Sequence, residues 1–171
     1  MKKTKVAING LGRIGRAFLK LALKRSDIEI VAVNDLGTLE NLIYLLKYDT
    51  AYGRTRFEIE QEDDQTFSIG SAKIKFLQEK DPSRLPWSEL DIDVVVEATG
   101  VFASFAASRA HIDAGARKVV ITAPVKDTPT AGIPGATVLM GVNEDKLSTF
   151  QITSNASCTT NAASPLITIL H

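Results

Sequence analysis

The chain carries one cysteine, Cys158, within Ser154-Asn155-Ala156-Ser157-Cys158-Thr159-Thr160-Asn161. Its neighbours are small and hydroxyl-bearing, and the apolar run from Ala162 to Leu170 reads as a helix despite Pro165. Cys158 therefore stands at an expected helix start, where unpaired N–H groups and the positive end of the helix dipole favour the thiolate. The thiolate is the nucleophilic form, so covalent redox chemistry is the expectation. A lone cysteine is more commonly buried and inert. A catalytic context is what separates the two readings.

That context begins near the N-terminus. Lys5-Val6-Ala7-Ile8-Asn9 is a short apolar strand pattern that runs into Gly10-Leu11-Gly12-Arg13-Ile14-Gly15, a match to Gly-x-Gly-x-x-Gly. Apolar residues at helical spacing follow from Arg16 to Arg25. Gly10 permits the tight turn, Gly12 lets the backbone approach a pyrophosphate, and Gly15 lets the helix pack closely on the strand. The helix N-terminus then faces the phosphates. A second strand pattern, Ile28 to Val33, ends at Asn34-Asp35, 20 positions after Gly15, where this fingerprint expects a carboxylate for the adenosine ribose hydroxyls. Asp35 would repel a 2′-phosphate, and Leu36, Gly37 and Thr38 bring no arginine to compensate, so the expected cofactor is NAD and not NADP.

The elements that must position these residues read as α/β, a doubly wound and mainly parallel Rossmann-type sheet. Leu39 to Leu46 resembles a helix and residues 48 to 54 an irregular loop. Phe57 to Glu60, Thr66 to Ile69 and Ala72 to Leu77 alternate as a small antiparallel insertion. Trp87 is expected to be a packing anchor. Val94-Val95-Val96 reads as a buried parallel strand leading into Glu97-Ala98-Thr99-Gly100, and ligands of open α/β sheets bind at such carboxyl ends. Phe102 to Ala114 reads as a helix stopped by Gly115, Lys118 to Thr122 as another buried strand, and Thr137 to Met140 and Gln151 to Thr153 as the last strands.

With 171 residues and 44% hydrophobic content, the chain can bury a substantial core, and its 20 basic and 20 acidic residues cancel. No basic or aromatic-basic stripe suggests a nucleic-acid partner. Asn9, Gly10, Gly12 and Arg13 interrupt any export signal, no segment reaches membrane-spanning length, and one cysteine makes no disulfide framework, so a cytoplasmic protein without a membrane partner is expected. Of the two histidines, His111 falls in an expected surface helix and reads as solvated. His171 lies 13 residues beyond Cys158, roughly 20 Å along a helix, too far to take its proton. No ligand spacing suggests a metal site.

Taken together, the segment from Lys5 to Arg16, Asn34-Asp35, Leu46-Lys47-Tyr48-Asp49, Glu97-Ala98-Thr99-Gly100-Val101-Phe102 and Ser157-Cys158-Thr159-Thr160-Asn161 resemble the N-terminal half of the glyceraldehyde-3-phosphate dehydrogenases. The cysteine motif is highly specific, whereas the glycine motif is shared by many dehydrogenases. The resemblance implies NAD-dependent phosphorylating oxidation of glyceraldehyde 3-phosphate to 1,3-bisphosphoglycerate through a cysteine thioester, in glycolysis, by an enzyme that is usually a homotetramer. It implies that Arg13 and Ile14 meet the pyrophosphate through backbone and that Asp35, next to Asn34, holds the adenosine ribose. Lys80 and Thr122 would line the cofactor site with Thr99 and Gly100, and Ser157 and Thr159 would flank the inorganic-phosphate site.

It further divides the chain into an NAD-binding domain, residues 1–157, and the start of a catalytic domain, residues 158–171. The family's catalytic histidine and substrate-phosphate ligands then fall beyond position 171, so the chain is expected to be inactive alone, as part of a longer dehydrogenase. Erythrose-4-phosphate dehydrogenase shares both motifs and is the enzymatic alternative. A stand-alone, nonenzymatic NAD-binding module is the other.

Overall fold

Thr4–Asn9 forms β1, and both of its faces are buried: Val6 and Ile8 join one apolar cluster while Ala7 joins another. A strand covered on two sides needs helices on two sides. The computed structural model, which describes residues 2–130 and 132–170, contains them. Helices α1 (Arg13–Ala22) and α2 (Leu39–Lys47) set Leu19, Ala22, Leu42 and Leu46 into the first cluster. Helix α3 (Phe105–Asp113) sets Phe105 into the second, beside Trp87 and Val95.

The remaining strands are β2 (Ile28–Asn34), β3 (Tyr48–Asp49), β4 (Gly53–Arg54), β5 (Ile59–Asp63), β6 (Thr66–Ile69), β7 (Ala72–Leu77), β8 (Val94–Glu97), β9 (Lys118–Ile121), β10 (Gly135–Thr137) and β11 (Ile152–Ser154). Nine of them form one sheet in the order β10-β11-β9-β8-β1-β2-β7-β6-β5, and β3 pairs with β4 alone. From β10 to β7 every pairing is parallel, and only the β5–β6–β7 stretch is antiparallel. The fold is thus the doubly wound, Rossmann-type α/β sheet. The chain builds outward from β1 through β2 and β7, then returns to lay β8 on the other side of β1. That reversal leaves a crevice between the carboxyl ends of β1 and β8, where such sheets bind ligands.

Several boundaries move for local reasons. Helix α1 begins at Arg13 and so takes Gly15 inside it. Helix α3 begins at Phe105, not Phe102, because Ser104 caps it through the Ala107 N–H and Asp127 accepts from the Phe105 and Ala106 N–H groups. Residues 48–54 are a tight hairpin whose Asp49 carboxylate accepts from the Ala51 and Tyr52 N–H groups. The expected strands at 57–60 and 137–140 lie instead at Ile59–Asp63 and Gly135–Thr137.

Cys158–Leu170 forms α4, in which no residue is buried. Leu166, Ile167, Ile169 and Leu170 are 62–86% exposed, and Pro165 removes one intrahelical hydrogen bond. An isolated helix of this length is marginal. The amides of its second half should therefore exchange with solvent orders of magnitude faster than those of β1, read by hydrogen–deuterium exchange. Protection equal to that of β1 would mean that another surface covers α4. No helix among the described residues is long and apolar enough to cross a membrane.

Candidate active site

Because the strands from β10 to β7 are parallel, the loops that leave their carboxyl ends meet at one edge of the sheet. Gly10–Gly12 leaves β1, Asp35 leaves β2, Lys80 follows β7, Thr99–Gly100 leaves β8, Thr122 leaves β9 and Cys158 follows β11. A crevice of about 860 Å³ opens there, lined among others by Gly10, Gly12, Asn34, Asp35, Lys80 and Thr99. Arg13, Ile14, Gly15, Gly100, Thr122 and Cys158 belong to the same loops or to helix starts but do not line that crevice.

The glycine loop is shaped by close approach. Gly10 has φ +94°, and a Cβ on it would stand 2.8 Å from the Thr99 backbone nitrogen, so the β1 and β8 loops touch backbone to backbone. A Cβ on Gly15 would stand 2.0 Å from the Gly10 carbonyl oxygen, whereas one on Gly12 would meet nothing within 4 Å. Gly12 therefore leaves open space above the first turn of α1, which has neither a capping side chain nor an acidic residue. Arg13 and Ile14 are exposed in that turn. An uncapped helix start behind an open glycine favours an anion.

Asp35 ties the loop from the β2 side. Its Oδ2 accepts from the Leu11 N–H at 2.7 Å and its Oδ1 from the Gly37 N–H at 2.8 Å. Each oxygen keeps acceptor capacity toward the crevice. Asn34 is 4% exposed, and its amide is committed to the protein: it donates to Asn9 Oδ1 and to the Glu79 carbonyl and accepts from the Glu79 N–H. It fixes the loop that carries Lys80, which is itself exposed. The Thr99 hydroxyl donates to Glu97 and accepts from the Val101 N–H, while the Thr122 N–H and hydroxyl both donate to the Glu97 carbonyl.

On the thiol side, Asn155 docks on β9 through the Ile121 carbonyl, and Ala156 turns the chain with φ +59°. Ser157 Oγ then accepts from the Thr160 N–H at 3.1 Å, capping α4 and leaving Cys158 as its first helical residue. The Cys158 and Thr159 N–H groups lie in the turn that an α-helix leaves without intrahelical partners. Ser157 Oγ also lies 2.9 Å from Thr159 Oγ1, and the Asn161 amide clamps the Asn155 and Ser157 carbonyls. Cys158 itself is exposed.

His111 corrects an expectation. It is 0% exposed, where the sequence suggested a solvated residue, because Phe105, Ser108 and His111 form the inner face of α3. Its Nδ1 accepts from the Trp87 indole N–H at 3.0 Å and its Nε2 lies 2.9 Å from Glu97 Oε2. Burial pushes the Glu97 carboxyl up, but hydrogen bonds from His111, Thr99 and Asn9 outweigh it and hold the group below its ordinary value. Sequence reasoning did not single out Glu97 or Asn9; the available signal was an acid closing a fully apolar strand, which demands partners. His171 lies outside the described residues. Among the described residues no three His, Cys, Asp or Glu side chains converge to hold a metal.

Residues 4–105 match the family described as glyceraldehyde 3-phosphate dehydrogenase, NAD binding domain. The chain is 46% identical over 167 residues to the glyceraldehyde-3-phosphate dehydrogenase of Eremothecium gossypii, covering 97% of this chain and 48% of that protein. Its identity is 45% over 169 residues to the Streptomyces coelicolor enzyme of that name, and 47% over 167 residues to the Salmonella typhimurium one. Those matches cover 97% and 98% of the chain and 48% of each relative. The chain thus spans about half the length of the curated relatives it matches.

Proposed function

The chain belongs to the glyceraldehyde-3-phosphate dehydrogenase family, and on that footing we propose that it binds NAD in the crevice between β1 and β8 and presents Cys158 as nucleophile for the phosphorylating oxidation of glyceraldehyde 3-phosphate. The observation that carries the reading is the convergence of the glycine loop, the Asp35 carboxylate and the capped start of α4 on one edge of the sheet.

The residues present fit the cofactor. The open backbone at Gly12 and the uncapped start of α1 suit a pyrophosphate, and the free lone pairs of Asp35 suit ribose hydroxyls. When bound, NAD supplies the hydride acceptor. Cys158 Sγ attacks the aldehyde carbon, and the N–H groups of the first turn of α4 stabilise the oxygen that becomes negative. After oxidation the acyl group remains on sulfur as a thioester. Inorganic phosphate, bound beside the Ser157 and Thr159 hydroxyls, displaces it to give 1,3-bisphosphoglycerate and the thiolate.

The proton acceptor for this sequence is not His111, whose ring nitrogens are both engaged in the core. It belongs, with the ligands of the substrate phosphate, to the length of the family that this chain does not span. Calorimetric titration of the 171-residue chain should accordingly give tighter binding of NAD than of NADP. Iodoacetamide should label Cys158 at neutral pH. In the same preparation, glyceraldehyde 3-phosphate, NAD and phosphate should yield negligible NADH, since loss of the general base costs on the order of 100-fold or more in rate. Absence of NAD binding would sink the cofactor assignment, and an unlabelled Cys158 in the folded chain would sink the nucleophile. Robust turnover would mean that a group within these residues replaces the acceptor.

A further inference from the structure

The last residues of β1, β2 and β8 stand side by side in the sheet: Asn9 pairs in register with Asn34 on one side and with Glu97 on the other. All three are polar, all three are at most 4% exposed, and each immediately precedes a loop of the crevice. Asn34 donates to Asn9 Oδ1 at 2.7 Å, and Asn9 donates to Glu97 Oε2 at 2.6 Å. His111 meets the same Glu97 oxygen, while the Thr99 N–H and hydroxyl both donate to Oε1. The carboxylate accepts four hydrogen bonds, two at each oxygen, which fills its acceptor sites.

Trp87 decides how this cluster is wired. An indole N–H only donates, so His111 Nδ1 must accept from it, and the proton of the neutral ring must then sit on Nε2 and point at Glu97. The indole thereby selects the one tautomer that completes the Glu97 shell. None of these five side chains need touch a nucleotide to act on it. Among them, Asn9, Asn34 and Glu97 stand directly before Gly10, Asp35 and the Thr99 loop, three of the places where the crevice is lined.

We propose that the Trp87–His111–Glu97 relay, joined to Asn9 and Asn34, is a positioning device that preforms the nucleotide crevice by locking the ends of β1, β2 and β8 to one another. Its effect on affinity rests on the crevice being the NAD site; its effect on the loops does not. A buried carboxylate is a costly way to fill a core and is commonly replaceable by apolar residues without loss of stability. Its presence between three ligand-facing loops is accounted for by the geometry it imposes there, because a fully satisfied buried network specifies one arrangement.

The test uses the 171-residue chain. Glu97→Gln keeps the shape, but at either oxygen position its NH₂ would face two donors. It should weaken NAD binding about tenfold or more and speed amide exchange at Leu11, Gly37 and Val101. Phe67→Leu, a core change in β6 remote from these loops, serves as a control matched by thermal unfolding and should leave both readouts within about twofold of the parent. The 15N spectrum of the unsubstituted chain should place the His111 proton on Nε2, and Trp87→Phe should release that selection.

Glu97→Gln with parental loop exchange and NAD affinity would overturn the proposal, as would a ring proton found on Nδ1. An equal loss of affinity in the Phe67→Leu control would also overturn it by reducing the relay to general stability. A parent chain that binds no NAD while Glu97→Gln still loosens the three loops would overturn the cofactor reading and support the relay. If Glu97→Gln does not fold, the tautomer in the parent and its release in Trp87→Phe decide.

Discussion

Gly15→Ala is expected to destabilise the chain by about 3 kcal/mol or more and to abolish NAD binding with it. Helix propensity alone argues the other way, since alanine inside a helix is favoured over glycine by about 1 kcal/mol. Packing decides the sign. The added Cβ would stand 2.0 Å from the Gly10 carbonyl oxygen, and Gly10 cannot retreat because its own back is against Thr99. Helix α1 would have to lift from β1, opening the cluster around Ile8 and Leu19. Gly12→Ala is the informative contrast, for there a Cβ meets only open space. That variant should melt like the parent yet bind NAD poorly, because the methyl occupies the room left for phosphates. Thermal unfolding followed by circular dichroism, with calorimetric titration, separates the two; a Gly15→Ala chain with parental melting and binding would refute the close-packing account.

Asp35→Ala should reduce NAD affinity about tenfold to a hundredfold, since hydrogen bonds to a charged acceptor each contribute about 1.5–3 kcal/mol. The loss has two origins. Ribose hydroxyls lose their acceptor, and the Leu11 and Gly37 N–H groups that Asp35 holds are released, which slackens the glycine loop. Affinity for NADP should fall less, because the substitution also removes a negative charge from the place a 2′-phosphate would occupy. The preference between the two cofactors therefore shrinks. Parallel titrations of parent and variant with both dinucleotides measure it, and equal affinities unchanged by the substitution would end the assignment of Asp35.

What could be read in the sequence followed from backbone demands. Gly10 and Gly15 announce a turn and a close approach, and Val94–Val96 announces burial on two faces; both stand in the structure, as close backbone contact and as a central parallel strand. Trp87, 0% exposed, is the packing anchor its bulk suggested. The polar interior was not readable in the same way. Apolar periodicity marks a buried face by what is hydrophobic, so an α3 whose inner face is Phe105, Ser108 and His111 looks like a solvated helix until its partners are known. Asn34 illustrates the same limit, for its position beside Asp35 invites a ligand contact while its amide is occupied by Asn9 and Glu79. Long-range hydrogen bonding, between residues 9 and 97 or 34 and 79, leaves no local trace in spacing.

The sheet that gathers these loops ends in two very different margins. On one side β10 is three residues long, too short to template another strand. On the other, β5 presents Glu60, Gln61, Glu62 and Asp63 to solvent, with Glu62 also paired to Lys73. Extending the sheet past β5 would bring a second copy's carboxylates alongside these and repel it, and extending it past β10 would gain too few backbone bonds to matter. A sheet with two bare margins invites edge-to-edge pairing; here one margin is defended by charge and the other by brevity.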